Sequence, residues 1–337
     1  MISQPYLSNV NRYAIVMDIG GTNARFCRVN LDNLVVDCMT IYPCANFSTF
    51  LEALIFYQES QGLRDIKHVV IAIACPITND FVRMTNFHWQ FSIKQTKQEL
   101  ELLHLEVLND FTAIAMSLPI LKEHEKTKVG GGIVDTSKPM VVLGAGTGLG
   151  VAHLIPTTTS FVPLAGEGGH TTWAAQTEQE WFIQRFLADR YGHVSCERLL
   201  SGPGLESLYL ALTTYQKKEA RSLSAAEIAK LALTGQCELA EASVAQFFAC
   251  LGSVAGDLAL TLGALGGVYI AGGIVPKILP LIEDSEFRVR FEAKGRSSYF
   301  NRQIATYVIV AEQPGLIGAA VYLKQIITRE TLKEHHD

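Results

Sequence analysis

The sequence predicts two related α/β domains, each opening on a β-hairpin. Three observations carry that expectation. The chain has 337 residues, and at roughly 150 residues per domain two are expected. Both halves begin with a buried apolar run, a glycine turn and a second strand: YAIVMDIG-GTN-ARFCRVN from Tyr13, and MVVLGAGTGLGVAHLI from Met140. Further along each half, short apolar runs alternate with stretches of helical period, as in strands covered by helices.

The elements follow in order. From Arg12 to about Tyr42 the pattern is strand, turn, strand, turn, strand: YAIVMDIG, GGTN, ARFCRVN, the polar LDN, then LVVDCMTIY. The polar breaks are short and carry no helical period. DIGGTN is therefore a hairpin turn, unlike the strand-to-helix turn of a dinucleotide site or P-loop. FSTFLEALIFYQESQG reads as an amphipathic helix and HVVIAIACPI as a strand buried on both faces. HLEVLNDFTAIAMSLPI reads as a strand ending at Asn109 with a helix opening at Asp110. KEHEKTKVGGGIVDTSKP is a looser polar stretch, and the domain boundary is expected near Pro119 to Lys128.

After the second hairpin, TEQEWFIQRFLADRYG is helical, as is much of Ser224 to Leu265, which opens on the capping-box spacing Ser224–Glu227. VYIAGGIVPKILPLI reads as strand, turn, helix. PGLIGAAVYLKQIITRETLKEHHD is one long amphipathic helix whose last residues, EHHD, are expected to fray.

Composition narrows the class. With 48% hydrophobic and 18% charged residues the chain can bury sizeable cores. The net charge of -5 is a slight argument against nucleic acid or an anionic membrane as the main partner. The seven cysteines (Cys27, Cys38, Cys44, Cys75, Cys196, Cys237, Cys250) form no C-x-x-C pair and suit buried free thiols in a reducing cytosol. MISQPYLSNVNRY has no basic region followed by an apolar core, so no signal peptide is expected. LALTLGALGGVYIAGGIVP, Leu258 to Pro276, is uncharged and nearly long enough to span a bilayer, but glycine pairs break it. A buried helix, turn, buried strand and second turn fit it better.

Three glycine turns follow buried strands: Gly20–Gly21, Gly144–Gly150, and Ala271–Ile274 with Gly272 and Gly273. Glycine lets a ligand approach the backbone without a Cβ in the way. Successive N–H groups in such turns form concave nests for phosphate oxygens. Gly20, Gly21, Thr22 and Asn23 of the first turn and Gly144, Gly146, Thr147 and Gly148 of the second are thus candidate nucleotide contacts, with threonine hydroxyls as added donors. Asp18 stands just before the first turn, where a carboxylate would hold Mg²⁺ directly or through water. A lysine is not required if two hairpins and a metal share the phosphate charge.

Asn109 and Asp110 lie where a strand ends and a helix begins, the usual ligand position of α/β folds. Asn or Asp there is also the preferred helix cap. The helix N-terminus favours an ionised carboxylate, so Asp110 is expected to be a ready proton acceptor at neutral pH. AGEGGH supplies Glu167 and His170, and SCERLLSGPG supplies Glu197. Carboxylates and imidazole suit sugar hydroxyls, which both donate and accept. His153 is expected to be a hydrogen-bonded core histidine. His193 could support the loop that carries Glu197.

D-x-GGTN-x-R, L-NDF-A, GAGTGLG, EGGH, ERLLSGPGL and AGGI-P, in unbroken order from about Tyr13 to near the C-terminus, together resemble the bacterial glucokinases of the hexokinase/actin/heat-shock ATPase superfamily. The resemblance implies two actin-like ATPase (ribonuclease H-like) domains with a cleft between them. A small domain, 1–120, would be joined by the C-terminal helix 314–335, and a large one would span 121–313. It implies transfer of the ATP γ-phosphoryl group to the 6-hydroxyl of D-glucose, the entry step of glycolysis, with Mg²⁺. Asn109 and Asp110 would contact the sugar, Asp110 as catalytic base. Glu167, His170 and Glu197 would bind glucose hydroxyls, and Gly272–Gly273 would lie near the adenine. A cytoplasmic homodimer is implied, with no nucleic-acid or membrane partner. Repressor/kinase-type (ROK) sugar kinases carry a cysteine-rich zinc motif after the corresponding histidine, whereas TTWAAQTEQEW follows His170 here. A sugar-sensing regulator would need a DNA-binding module, and the dozen residues before the first strand are too few for one.

Overall fold

The computed structural model describes residues 12–77, 79–84, 87–219 and 221–334. Met1–Asn11 and the last three residues of the EHHD terminus, and so the expected fraying, lie outside the described residues. Two compact units divide the chain: one runs to Ile120 and resumes at Glu312, and the other is Leu121–Ala311.

In the first unit β1 (Tyr13–Ile19), β2 (Asn23–Asn30) and β3 (Val36–Pro43) form an antiparallel meander. The helix α1 (Phe50–Gln61), capped by Thr49 and closed by Gly62 in the left-handed conformation, leads to β4 (His68–Ile73). A small hairpin of β5 (Phe81–Arg83) and β6 (Gln90–Ser92) and the helix α2 (Ile93–Glu99) precede β7 (His104–Asn109) and α3 (Asp110–Ser117). The sheet order is β3-β2-β1-β4-β7, with β1, β4 and β7 parallel. Because side chains alternate along a strand, β1 feeds two cores. Ile15, Met17 and Ile19 pack with Phe50, Leu54 and Tyr57 on one face. Ala14 and Val16 pack on the other with Leu316, Ala319, Ala320 and Leu323 of the last helix. That helix crosses α3 so closely that a Cβ on Gly318 would run into the Ala113 carbonyl.

The second unit repeats this sheet. It contains β8 (Lys126–Gly130), β9 (Met140–Ala145), β10 (Leu149–Pro156), β11 (Phe161–Gly166), α4 (Glu178–Tyr191), α5 (Gly202–Tyr215), α6 (Ala225–Leu233) and α7 (Glu238–Leu262). It ends with β12 (Val268–Ala271), α8 (Phe287–Glu292), α9 (Ser298–Arg302) and β13 (Thr306–Ile309). The order β11-β10-β9-β12-β13 matches the first unit strand for strand, and β8 is added antiparallel at the β13 edge. The final helix α10 (Pro314–Glu334) belongs to the first unit.

Two sequence expectations change. The polar stretch from Lys122 holds β8, a strand opening on three polar residues, Lys126–Thr127–Lys128, which suits its place at the edge of the sheet. The segment after AGGI is a kinked 3₁₀ turn, Val275–Leu281, because Pro280 inside it cannot donate to a helical ladder. The Ser224–Glu227 capping box forms as read. Leu258–Pro276 is the end of α7, a turn, β12 and a second turn. By length and composition alone α7 could cross a membrane, but 72% of its apolar window is buried among the core of its own unit.

That core is pinned by one buried ion pair. Glu180 on α4 is fully buried, and Arg290 on α8 grips both its oxygens at 2.9 and 3.0 Å. Gln246 of α7 and the Gln176 N–H also donate to it. Burial pushes the Glu180 pKa up, but these donors prevail and hold it below the usual carboxylate range.

Candidate active site

In the first unit the strand register gathers the candidate residues at one edge. Ile19 pairs with Ile73, and Ile73 with Asn109. The Gly20–Gly21 turn, Cys75 and Asn109–Asp110 therefore lie at the carboxyl ends of three adjacent parallel strands. The turn is closed by the Gly20 N–H donating to the Asn23 carbonyl at 3.0 Å, and Thr22 and Asn23 are exposed. Neither Gly20 nor Gly21 has positive φ. Backbone strain therefore does not explain glycine there, and open approach to the peptide does.

Asn109 resolves the capping question. Its Oδ1 accepts from the N–H groups of Phe111 and Thr112, so it is the cap of α3. Its Nδ2 donates to Asp110 Oδ1 at 2.9 Å, and the Phe111 N–H donates to the same oxygen. Asp110 is thus oriented without serving as the cap. Its acidity departs from the expectation of an ordinary, strongly ionised aspartate. Burial pushes its pKa up to about 6, the Asp18 charge adds to this, and the Phe111 and Asn109 donors oppose it. Desolvation outweighs the helix terminus, yet the group is still mostly ionised at neutral pH.

Asp18 is paired across the hairpin with Arg25, whose Nη1 donates to Oδ2 at 2.8 Å. Burial raises the Asp18 pKa, and the guanidinium opposes it. Among the described residues no group of three or more metal-ligating side chains occurs. A lone carboxylate fits Mg²⁺, which keeps most of its waters and takes one or two carboxylates plus substrate phosphates. It does not fit a metal held by protein ligands alone. Arg25 is the arginine of the D-x-GGTN-x-R motif, and its partner is Asp18 of the same motif. The four-residue hairpin turn, which sets Asp18 opposite Arg25, was the available signal. Cys75, expected as a buried free thiol, is one, and it lies near Asp110: burial and the Asp110 charge push its thiol up to about 11.

In the second unit two glycine turns interlock. Gly144 lies so close to Ala271 and Gly272 that its Cβ would meet the Ala271 carbonyl oxygen at 2.5 Å. Gly272 has φ +85°, and its Cβ would meet the Ala145 carbonyl. By contrast a Cβ on Gly146 or Gly273 would meet nothing within 4 Å, and Thr147 is exposed. The turn Gly144–Gly150 is fixed underneath and open above. Glu197 is tied to it: the Leu149 N–H donates to Glu197 Oε2 at 2.9 Å, and that oxygen fills the space a Gly148 side chain would need.

Glu167 precedes and His170 ends the 3₁₀ turn Gly168–His170, which rests on β10 through Gly169 against Leu149 and Gly168 against Val151. Their side chains are exposed, with His170 Nε2 3.9 Å from Glu167 Oε2. The structure thus brings Glu167, His170 and Glu197 onto neighbouring turns of one unit, beside Gly144, Gly146, Thr147 and Gly148. His153 differs from expectation: it is half-buried, its Nδ1 has no hydrogen-bond partner, and burial lowers its pKa.

A family model described as Glucokinase matches residues 15–326. A glucokinase of Colwellia psychrerythraea is 45% identical over 318 residues, covering 93% of this chain and 96% of that protein. Among solved structures, a glucokinase from an Antarctic psychrotroph superposes with a TM-score of 0.86 at 38% identity, covering 93% of this chain and 99% of that one. The glucokinase of Balamuthia mandrillaris in complex with glucose shares the fold at 19% identity, with a TM-score of 0.74 over 93% of this chain and 94% of that one. With the match extending from the first hairpin into the last helix, the chain belongs to the glucokinase family.

Proposed function

We propose that this chain transfers the γ-phosphoryl group of ATP to the 6-hydroxyl of D-glucose, giving glucose 6-phosphate and ADP at the entry to glycolysis. The observation that carries the reading is the Asp110 carboxylate. Asn109 and the Phe111 N–H orient it, and burial pushes its pKa up to about 6 at the start of α3, just past the carboxyl end of β7. Phosphoryl transfer passes through a loose transition state, so the hydroxyl grows acidic only as the new P–O bond forms. Asp110 orients the 6-hydroxyl and accepts its proton late. A pKa about one unit below neutral leaves it ionised while making it a better acceptor than an ordinary aspartate.

Asn109, Glu167, His170 and Glu197 would serve as contacts to sugar hydroxyls. Gly20, Gly21, Thr22, Asn23, Gly144, Gly146, Thr147 and Gly148 would serve the nucleotide phosphates, with Gly272 and Gly273 near the adenine. Asp18 would hold Mg²⁺ through water, and the ion would neutralise phosphate charge. Both units would be ribonuclease H-like domains of the actin-like ATPase type, a reading supported by their matching strand order. The protein would work as a cytoplasmic homodimer. A coupled assay with ATP and Mg²⁺ tests the reading on glucose, mannose, fructose and N-acetylglucosamine, with and without EDTA. Metal-dependent turnover favouring glucose is expected, and turnover favouring another sugar, or none, would overturn the substrate assignment.

A further inference from the structure

The segment after His170, Thr171-Thr172-Trp173, and the residues before Glu197, His193-Val194-Ser195-Cys196, form a short ladder of their own. The Trp173 N–H donates to the Val194 carbonyl at 3.0 Å, and the Cys196 N–H to the Thr171 carbonyl at 2.9 Å, bracketing an antiparallel bridge between Thr172 and Ser195. Side chains reinforce it. Thr171 Oγ1 donates to the Gly168 carbonyl at 2.8 Å and lies 3.5 Å from Cys196 Sγ. Thr172 Oγ1 and His193 Nε2 are hydrogen-bonded at 3.1 Å. Trp173 is buried in the core with Val194 and Cys196 and anchors one end. At the other end, Gly168 and Gly169 rest on β10.

We infer that Thr171 and Thr172, with His193, are positioning residues of the sugar site. They latch the turn bearing Glu167 and His170 to the turn bearing Glu197, so that these side chains keep a fixed spacing. The inference rests on the proposed sugar-binding role of those three side chains. The turns themselves are short 3₁₀ segments, and most of their rigidity comes from what they are bonded to. The Thr172–His193 pair is the outermost rung and is exposed, so removing it loosens the latch without opening the core.

The test compares Thr172→Val, which keeps the shape and loses the hydroxyl, with Thr172→Ser, His193→Ala and the Val/Ala double variant. Loss of one hydrogen bond of this kind corresponds to about a two- to tenfold effect. Thr172→Val and His193→Ala should each raise the glucose KM by about that factor, while kcat changes less and the ATP KM stays fixed. The double variant should be no worse than either single variant, because both remove the same bond. Thr172→Ser should restore the wild-type KM. An unchanged glucose KM in both single variants, additive effects, or failure of Thr172→Ser to restore it would each overturn the latch.

Wild-type turnover on glucose, measured first, separates this failure from failure of the glucokinase reading. Amide exchange at Gly168–His170 and Cys196–Arg198 gives a second readout that needs no turnover. Faster exchange in Thr172→Val than in Thr172→Ser supports the latch, and equal exchange overturns it.

Discussion

Asp110→Asn should make the free protein more stable while disabling it. In the folded chain Asp110 titrates at about 6 instead of 3.8, chiefly because burial disfavours its charge. A shift of about two units at roughly 1.36 kcal/mol each corresponds to about 3 kcal/mol. The sign follows from proton binding. The folded state holds this proton more tightly than the unfolded state, so ionisation costs stability as pH rises from the unfolded to the folded pKa. The cost is absent below about pH 4, roughly half developed near pH 5 and complete above about pH 7. Asparagine carries no charge and keeps an oxygen for the Phe111 N–H. Denaturant unfolding of the sugar-free protein at about pH 7.5 should therefore show the variant more stable by up to about 3 kcal/mol, with roughly half the difference near pH 5. Its kcat should fall by roughly 10²–10⁴, the usual loss for a positioned base. The wild-type kcat/KM for glucose should decline below about pH 6, and that limb should vanish in the variant. A variant no more stable than wild type at pH 7.5, or a difference that does not shrink with pH, would refute the desolvation account.

Four further outcomes are expected. Glu167→Gln should raise the glucose KM and leave the ATP KM unmoved, as read by steady-state kinetics with each substrate varied. Gly272→Ala places a side chain at positive φ against the Ala145 carbonyl and should cost on the order of 1–3 kcal/mol or more by denaturation. Gly146→Ala, with open space above it, should leave stability unchanged and raise the ATP KM. Arg290→Met strands the buried Glu180 carboxylate and should destabilise the second unit by about 3–5 kcal/mol, partly recovered by adding Glu180→Gln. Melting curves of the single and double variants check this.

Local pattern made much of the architecture legible. The hairpin around Gly20–Gly21 followed from two apolar runs with a four-residue polar break. The Asn109–Asp110 junction followed from a buried run meeting a helical period, and the capping box at Ser224 from spacing alone. What escaped were elements whose signal is weak in isolation. The strand β8 opens on three consecutive polar residues, which carry no strand period, and it forms by pairing with the β13 edge. The segment at Val275–Leu281 reads as a helix until Pro280 removes a ladder donor. Cys75 and Glu197 are far apart in sequence from Asp110 and the Leu149 N–H, the groups they meet, so only the tertiary structure reveals those contacts.

The sequence by itself determined the two glycine hairpins, the buried strands that carry them, and the residue types set at their ends. These depend on periodicity and backbone preference, which are properties of a few neighbouring residues. Tertiary structure alone decided which of Asn109 and Asp110 caps α3 and which has its carboxylate left for the proposed role of base. It also decided how far burial raises the Asp110 pKa, and how Thr171, Thr172 and His193 bind the Glu167 turn to the Glu197 turn. Desolvation and hydrogen-bond geometry depend on what the rest of the chain brings alongside, and no local window contains that.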